Sequence, residues 1–178
     1  MNRRLVIRIY ALTAAGAILW LGAVAAAPWL RSRGSGAAGL FYTCFGPVCH
    51  QDPGRSFHLW GYPLAVCARC LGVYMGFAGG LILYPFVRGF SSTRLPVLRT
   101  LIAASFPIVF DTGANVLGLW DTAGMLRFLT GFLWGLVLPF YFLTGLAELF
   151  ASRRRETSQN SFKSESAPSP TDSKVTPQ

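Results

Sequence analysis

Four long apolar segments constrain this chain more than any other feature of its sequence. They cover residues 9–30, 64–87, 97–119 and 126–150. A helix needs about 20 mostly apolar residues to cross the hydrocarbon core of a bilayer, and each segment is that long. Only 13% of the residues are charged, about half the share that is usual in soluble domains. The sequence therefore predicts an all-α membrane protein, a bundle of four transmembrane helices.

Basic residues indicate how these helices are oriented. Cytoplasmic flanks of membrane helices carry an excess of Lys and Arg, and most basic residues near the segments fall on the side of the N-terminus. We expect a multi-pass protein of the inner (cytoplasmic) membrane, with both termini in the cytoplasm and loop 31–63 outside. The net charge of +9 then reflects topology, and we expect the lipid bilayer as partner and no nucleic acid. The first segment resembles a signal peptide at Ala25-Ala26-Ala27, but Pro28 would block cleavage, which favours an uncleaved span.

The chain divides into two regions by composition. Residues 1–151 form the predicted membrane domain. Residues 152–178 are rich in Ser, Thr, Pro, Gln and Lys, and such a segment cannot bury enough apolar surface to offset its ordering entropy. We expect a disordered cytoplasmic tail.

Glycines at four-residue spacing predict how two of the spans pack. Gly72, Gly76 and Gly80 would line one face of the second span, and Gly131 and Gly135 one face of the fourth. Small residues let helix backbones approach closely in lipid. Such faces suit packing within the bundle, and they would also suit a membrane-protein partner or a second copy of the chain.

All the cysteines lie together, around the outer end of the predicted second span. Cys44 precedes a Cys49-His50-Gln51 sequence, and Cys67 and Cys70 follow in a Cys-x-Arg-Cys motif. Thiolates with an imidazole are the ligands of zinc and other thiophilic ions, so Cys49, His50, Cys67 and Cys70 are candidate metal ligands. Disulfides, redox-active thiols and a stretched haem-attachment motif remain alternatives.

Polar residues inside the predicted spans form a second group. Asp111 lies deep in the third span, where a charge is costly and needs a partner. Asn115, one turn away, shares its face. Arg69 and Arg127 begin the second and fourth spans, so either could pair with Asp111 and fix the helix register. Alternatively, these residues form the floor of a polar pocket beneath the cysteines.

Several of these motifs together resemble the signature of one prokaryotic family. They are Cys49-His50-Gln51, Arg55-Ser56-Phe57, Gly61, Cys67-Ala68-Arg69-Cys70, Leu71-Gly72, Tyr74, Gly76, Pro107, Asp111, Arg127, Thr130-Gly131 and Gly135. The family is termed domain of unknown function 2085. The resemblance implies an integral membrane protein and brings no established activity. It places Gln51, Arg55, Arg69, Asp111 and Arg127 with the cysteines as candidate site residues.

Three functions fit these observations. The chain could hold a metal or use reactive thiols at the outer membrane face. It could be a small ion or solute transporter component that uses Asp111. It could also be a structural or assembly protein whose loop is stapled by disulfides. The sequence carries no P-loop, dinucleotide fingerprint or His-Glu-x-x-His motif, and it leaves open whether the protein is an enzyme.

Overall fold

The structure, a computed structural model, describes residues 3–87, 98–119 and 121–165. Its elements in chain order are helix α1 Arg3–Ser32, helix α2 Ala37–Phe45, a 3-10 turn Pro53–Arg55, strands β1 His58–Leu59 and β2 Tyr62–Pro63, and helices α3 Ala68–Val87, α4 Leu98–Val116 and α5 Gly124–Glu165. The protein is thus mostly helical, as the sequence predicts. The sequence did not predict α2 or the hairpin, which are too short to show a clear period.

Three of the described helices are long and apolar enough to cross a membrane. They are α1 over Arg4–Ser32, α3, and α5 over Gly124–Phe150. Helix α4 occupies most of the third predicted span and has 19 residues, but it is not among the three. Its polar residues, Arg99, Asp111 and Asn115 among them, lower its mean hydropathy. Val97, the predicted first residue of that span, lies outside the described residues.

Several helix boundaries differ from the prediction, and two of these differences have a clear physical cause. Helix α3 begins at Ala68, not Leu64, because Tyr62–Pro63 pairs with His58–Leu59 as a hairpin. Helix α5 ends at Glu165, so its backbone is helical through the first part of the predicted disordered tail. An existing helix extends readily, since each added residue gains one hydrogen bond without a new nucleus. Residues 166–178 lie outside the described residues.

The glycine face of α3 packs directly on the backbone of α5. A Cβ atom added at Gly72, Gly76 or Gly80 would overlap the carbonyl group of Phe128, Phe132 or Leu136 respectively. These contacts advance in the same direction along both helices, so α3 and α5 run parallel. The predicted packing role of these glycines is confirmed.

The glycines of α5 make the reciprocal contact. A Cβ at Gly131 would overlap the carbonyl of Arg69, and one at Gly135 would overlap the carbonyl of Val73. Such an approach brings Cα–H groups against carbonyl oxygens, a weak hydrogen bond common at helix interfaces. The first turns of α3 and α5 are therefore held at one end of the bundle.

Helices α1 and α4 flank this pair and run antiparallel to it. The hydroxyl of Tyr10, near the start of α1, donates to the carbonyl of Leu81 near the end of α3 over 3.1 Å. Further along α1, Trp20 stacks edge-on against Tyr74. On the other side, Nε1 of Trp134 in α5 donates to Oγ of Ser105 in α4 over 2.9 Å. The last turns of α1 and α4 thus lie at the same end as the first turns of α3 and α5.

Candidate metal centre

The loop after α2 places Cys49 in the core, at the end of the bundle where α3 and α5 begin. The N–H of Cys49 donates to the carbonyl of Phe45 over 3.0 Å, which continues the turn beyond the helix, and its side chain is buried. Gln51 then reverses the chain with a positive φ of 52°. Its side-chain amide donates to the carbonyl of Tyr42 over 2.6 Å. Gln51, a candidate from the family resemblance, therefore shapes the loop that presents Cys49.

The hairpin brings the chain back to the start of α3. Its two-residue turn, Trp60-Gly61, has positive φ at both positions, the mark of a type I′ turn. The N–H of Leu64 donates to the carbonyl of Phe57 over 2.8 Å. Residues 64–66 are then buried against Val24 and Ala27 of α1. This packing fixes the direction in which the chain enters α3.

Cys67 caps the first turn of α3, and Cys70 follows one turn along. The carbonyl of Cys67 accepts from the N–H of Leu71 over 2.9 Å, the first bond of the helix. The N–H of Cys67 points the other way and donates to Sγ of Cys49 over 3.1 Å. The sulfur atoms of Cys49, Cys67 and Cys70 all lie within 4.8 Å of one another. We call these three residues the cysteine triad.

The surroundings of Cys49 favour its thiolate form. Hydrogen bonds from the side chains of Cys67 and Cys70, and then from the N–H groups of Cys67 and Gln51, hold the pKa of the Cys49 thiol far below its ordinary value, although burial opposes this. The N-terminus of α3 also directs its positive dipole end at the triad. Thiolates are the form of cysteine that binds metal ions and attacks other sulfurs.

One predicted ligand, His50, lies outside the triad, as does Cys44. His50, next to Cys49, is exposed and is not grouped with the three sulfurs. Cys44 is also exposed, and all four cysteines, which fall within the described residues, are free thiols. Arg55 lies at the surface, where its Nε is 3.2 Å from a carboxylate oxygen of Asp52. The structure does not bring Arg55 to the site.

A group of buried polar and charged side chains is connected to the triad segment through Arg69. Asp111 is only 3% exposed and pairs with the guanidinium of Arg69, which directly precedes Cys70 in the chain. Its other oxygen accepts from Oγ1 of Thr122 over 2.6 Å. Of the two partners that the sequence left open, the structure selects Arg69.

Arg127 reaches the same network through a different residue. Its Nη2 donates to Oδ1 of Asn115 over 2.8 Å and to Oδ1 of Asp121 over 2.6 Å. Nδ2 of Asn115 in turn donates to Thr122 and to the backbone carbonyl of Asp111. Two cations and two carboxylates therefore balance within one hydrogen-bonded group. Thr122 and Asp121 were not among the predicted site residues. Their position near Arg127, in the short link between two helices, was the available signal.

Three neighbouring thiols could form a disulfide or bind a metal ion, and the geometry of the triad distinguishes these two alternatives. A disulfide needs two sulfurs, whereas here three converge. Three thiolates around one zinc ion, each about 2.3 Å from the metal, would lie about 3.8 Å apart, within the spacing found here. Because Cys44 is outside the group, two disulfides among the four cysteines would need the loop to rearrange.

Comparisons with known proteins support the conclusion that this chain is a membrane protein. The family model described as "Predicted membrane protein (DUF2085)" matches residues 49–141, which include the triad and the buried charges. An uncharacterized protein of Methanocaldococcus jannaschii is 40% identical over 102 residues, which cover 57% of this chain and 65% of that relative. An uncharacterized protein of Methanothermobacter thermautotrophicus is 34% identical over 84 residues, which cover 47% of this chain and 74% of the relative. No solved structure matches the chain. Since the family match spans more than half of the sequence, the chain belongs to the DUF2085 family of predicted membrane proteins.

Proposed function

We propose that this protein binds a thiophilic metal ion, such as zinc, through the cysteine triad at the outer face of the membrane. The observation that carries the proposal is the convergence of Cys49, Cys67 and Cys70 from two separate segments onto one point. Hydrogen bonds from backbone N–H groups to a ligand sulfur are the kind of outer contact that orients metal ligands. The Cys67 N–H to Cys49 Sγ bond is one of these.

Three thiolates leave one position of a tetrahedral zinc site open. His50 remains the predicted fourth ligand because it adjoins Cys49 in the chain, although its side chain is exposed. Water is the alternative. A site closed by His50 would be structural, whereas a water-filled position would leave the ion accessible to a substrate.

The parallel course of α3 and α5 supports a four-span arrangement. Two helices that cross a membrane in the same direction need a connection that crosses back. Helix α4 lies between them in the chain and runs antiparallel to α5. Its 19 residues extend about 28 Å as a helix, close to the thickness of the hydrocarbon core. Its buried Asp111 is paired with Arg69, which lowers the cost of a charge at that depth.

In this arrangement both termini lie on one side, as the excess of basic residues predicts for the cytoplasm. The triad then lies at the extracytoplasmic end. The transport hypothesis is less favoured, because both oxygens of Asp111 are engaged by Arg69 and Thr122. The assembly hypothesis gains no specific support, since the glycine faces that could dock a partner are used between α3 and α5.

Metal content and free thiols measured on the same sample test the proposal. The protein would be purified in mild detergent, loaded with zinc chloride and freed of unbound metal. We expect about one zinc per chain, which is lost in Cys67→Ser and retained in the control Cys44→Ser. His50→Ala would lower the affinity if His50 is the fourth ligand and leave it unchanged if water is. Failure to bind zinc, with no free thiols left among the four cysteines, would overturn the proposal in favour of disulfide staples.

A further inference from the structure

A cavity of about 510 Å³ lies between α1, the hairpin and α3. Leu21, Val24 and Ala25 of α1 line one wall, and Leu71 and Met75 of α3 line another. The size is within the range of about 300–1,000 Å³ that is usual for small-molecule sites. The lining is apolar except for one residue, His58 of the hairpin.

The cavity lies at membrane depth. Its α1 residues fall inside the candidate span Arg4–Ser32. Leu21 and Ala25 are nine and five positions before Leu30, the predicted outer end of the apolar segment. At a rise of about 1.5 Å per residue, they lie about 8–14 Å below that level. The molecules that reach an open apolar cavity at this depth are those dissolved in the bilayer.

A cation lies beyond the cavity, toward the C-terminal end of α1. Residues 21, 24, 28 and 31 share one face of α1, because positions three and four apart lie above one another on a helix. Arg31 is therefore on the cavity face, just past the apolar segment. Its guanidinium lies over the ring of Tyr62, 5.8 Å from the centroid. Tyr62 is the cross-strand partner of Leu59, which lines the cavity.

Arg31 has no carboxylate partner among the described residues. It is held instead by the rings of Tyr42 and Tyr62. Its charge is thus fixed in place but not neutralised, at the level where phospholipid phosphates lie. Apolar space below and a fixed cation above match the two parts of an anionic phospholipid.

We propose that this cavity binds one anionic phospholipid, with an acyl chain between α1 and the hairpin and the phosphate at Arg31. The hairpin forms one side of the site, with His58 in the cavity wall as a further polar contact for the lipid ester or phosphate region. The inference does not depend on metal binding, because it uses none of the triad sulfurs.

Native mass spectrometry of the detergent-purified chain, titrated with phosphatidylglycerol or phosphatidylcholine, tests the inference. We expect one phosphatidylglycerol to bind more tightly than phosphatidylcholine. Arg31→Gln should weaken phosphatidylglycerol binding about fivefold, the effect of removing one basic residue near anionic lipid, and should abolish the preference. The control Arg33→Gln removes a neighbouring charge that lies over Trp29 and should change neither.

A cavity-filling variant tests the position of the acyl chain. Ala25→Phe places a ring in the cavity and should remove the bound lipid, whereas Ala15→Phe, on an exposed part of α1, should retain it. Equal binding by Ala25→Phe and Ala15→Phe would overturn the acyl-chain site. Equal binding of the two lipids by the wild type would overturn the role of Arg31. Zinc content measured on each variant separates these outcomes from the metal proposal, since all four variants leave the triad intact.

Discussion

The backbone N–H of Cys67 donates a 3.1 Å hydrogen bond to Sγ of Cys49. This bond ties the loop after α2 to the residue that immediately precedes α3. It also directs the positive end of the N–H dipole at the triad sulfur that is furthest from the helix in sequence. A thiolate accepts such a bond better than a neutral thiol does. The hydrogen bond therefore holds the loop in place and also favours the deprotonated sulfur that a metal site needs.

The position of Cys44 outside the triad predicts a simple pattern of thiol reactivity. In the zinc-loaded protein we expect a maleimide reagent to modify Cys44 alone, because the other three sulfurs would be shielded by the ion and by burial. A strong chelator should expose the triad to the reagent. Mass spectrometry of the modified chain counts the labels. Rapid labelling of Cys67 before chelation would contradict the prediction.

The pair between Arg69 and Asp111 predicts a large loss of stability when one partner is removed. Asp111→Ala leaves the partly buried guanidinium of Arg69 without its carboxylate. Such a change costs about 3–5 kcal/mol when both partners are fully buried, and we expect a loss at or below the lower end of that range. The double variant Arg69→Met/Asp111→Ala should lose less, because neither charge remains. Unfolding followed by circular dichroism in detergent measures both.

The surface pair of Asp52 and Arg55 provides the matched control. Its side chains are 48% and 57% exposed, and exposed pairs contribute at most about 1 kcal/mol. Asp52→Ala also removes a hydrogen bond to the N–H of Gly54, so a small effect is expected. An effect of Asp52→Ala as large as that of Asp111→Ala would argue against a special role for burial.

The close contact between α3 and α5 predicts that even one added methyl group is harmful. Gly76→Ala would force its Cβ into the carbonyl of Phe132, a backbone group that cannot move aside without separating the helices. We expect a lower unfolding midpoint in a sodium dodecyl sulfate titration, and weaker zinc binding because Cys67 and Cys70 move with α3. Gly113→Ala in α4 meets nothing within 4 Å and should be neutral or slightly stabilising, since Ala favours helix over Gly.

The four-span proposal predicts which side of the membrane each part of the chain faces. A membrane-impermeant maleimide applied to intact cells should label Cys44 from outside. In a Cys44→Ser background, an added Ser173→Cys should be labelled only after the membrane is permeabilised. Labelling of both sites from outside would mean an odd number of crossings. That result would be incompatible with the parallel packing of α3 and α5 across a membrane and would overturn the four-span arrangement.

The sequence predicted the helices and the glycine contact well, because both depend on local periodicity. Gly72, Gly76 and Gly80 define a face whatever the neighbouring helix is. The partner of Asp111 could not be predicted in the same way. To choose Arg69 over Arg127, one must know how three helices are rotated about their own axes relative to one another. No pattern in the sequence specifies that rotation.

The site was predicted only in part for a similar reason. Cys67 and Cys70 share a helical turn, so their proximity follows from spacing alone. Whether Cys49 or His50 turns inward depends on the loop after α2 and on the positive φ of Gln51, neither of which has a periodic signal. Thr122 was missed because its role depends on a contact with a helix that precedes it in the chain.

The parallel packing of α3 and α5 also has a consequence for biogenesis. The contacts of Gly72, Gly76 and Gly80 are with residues about 56 positions later in the chain. At a synthesis rate of about 5–20 residues per second, these partners appear about 3–11 s after the glycines do. During that interval α3 leaves the ribosome and meets lipid with its glycine face uncovered. A membrane insertase that holds α3 until α5 arrives would therefore determine the yield of folded protein.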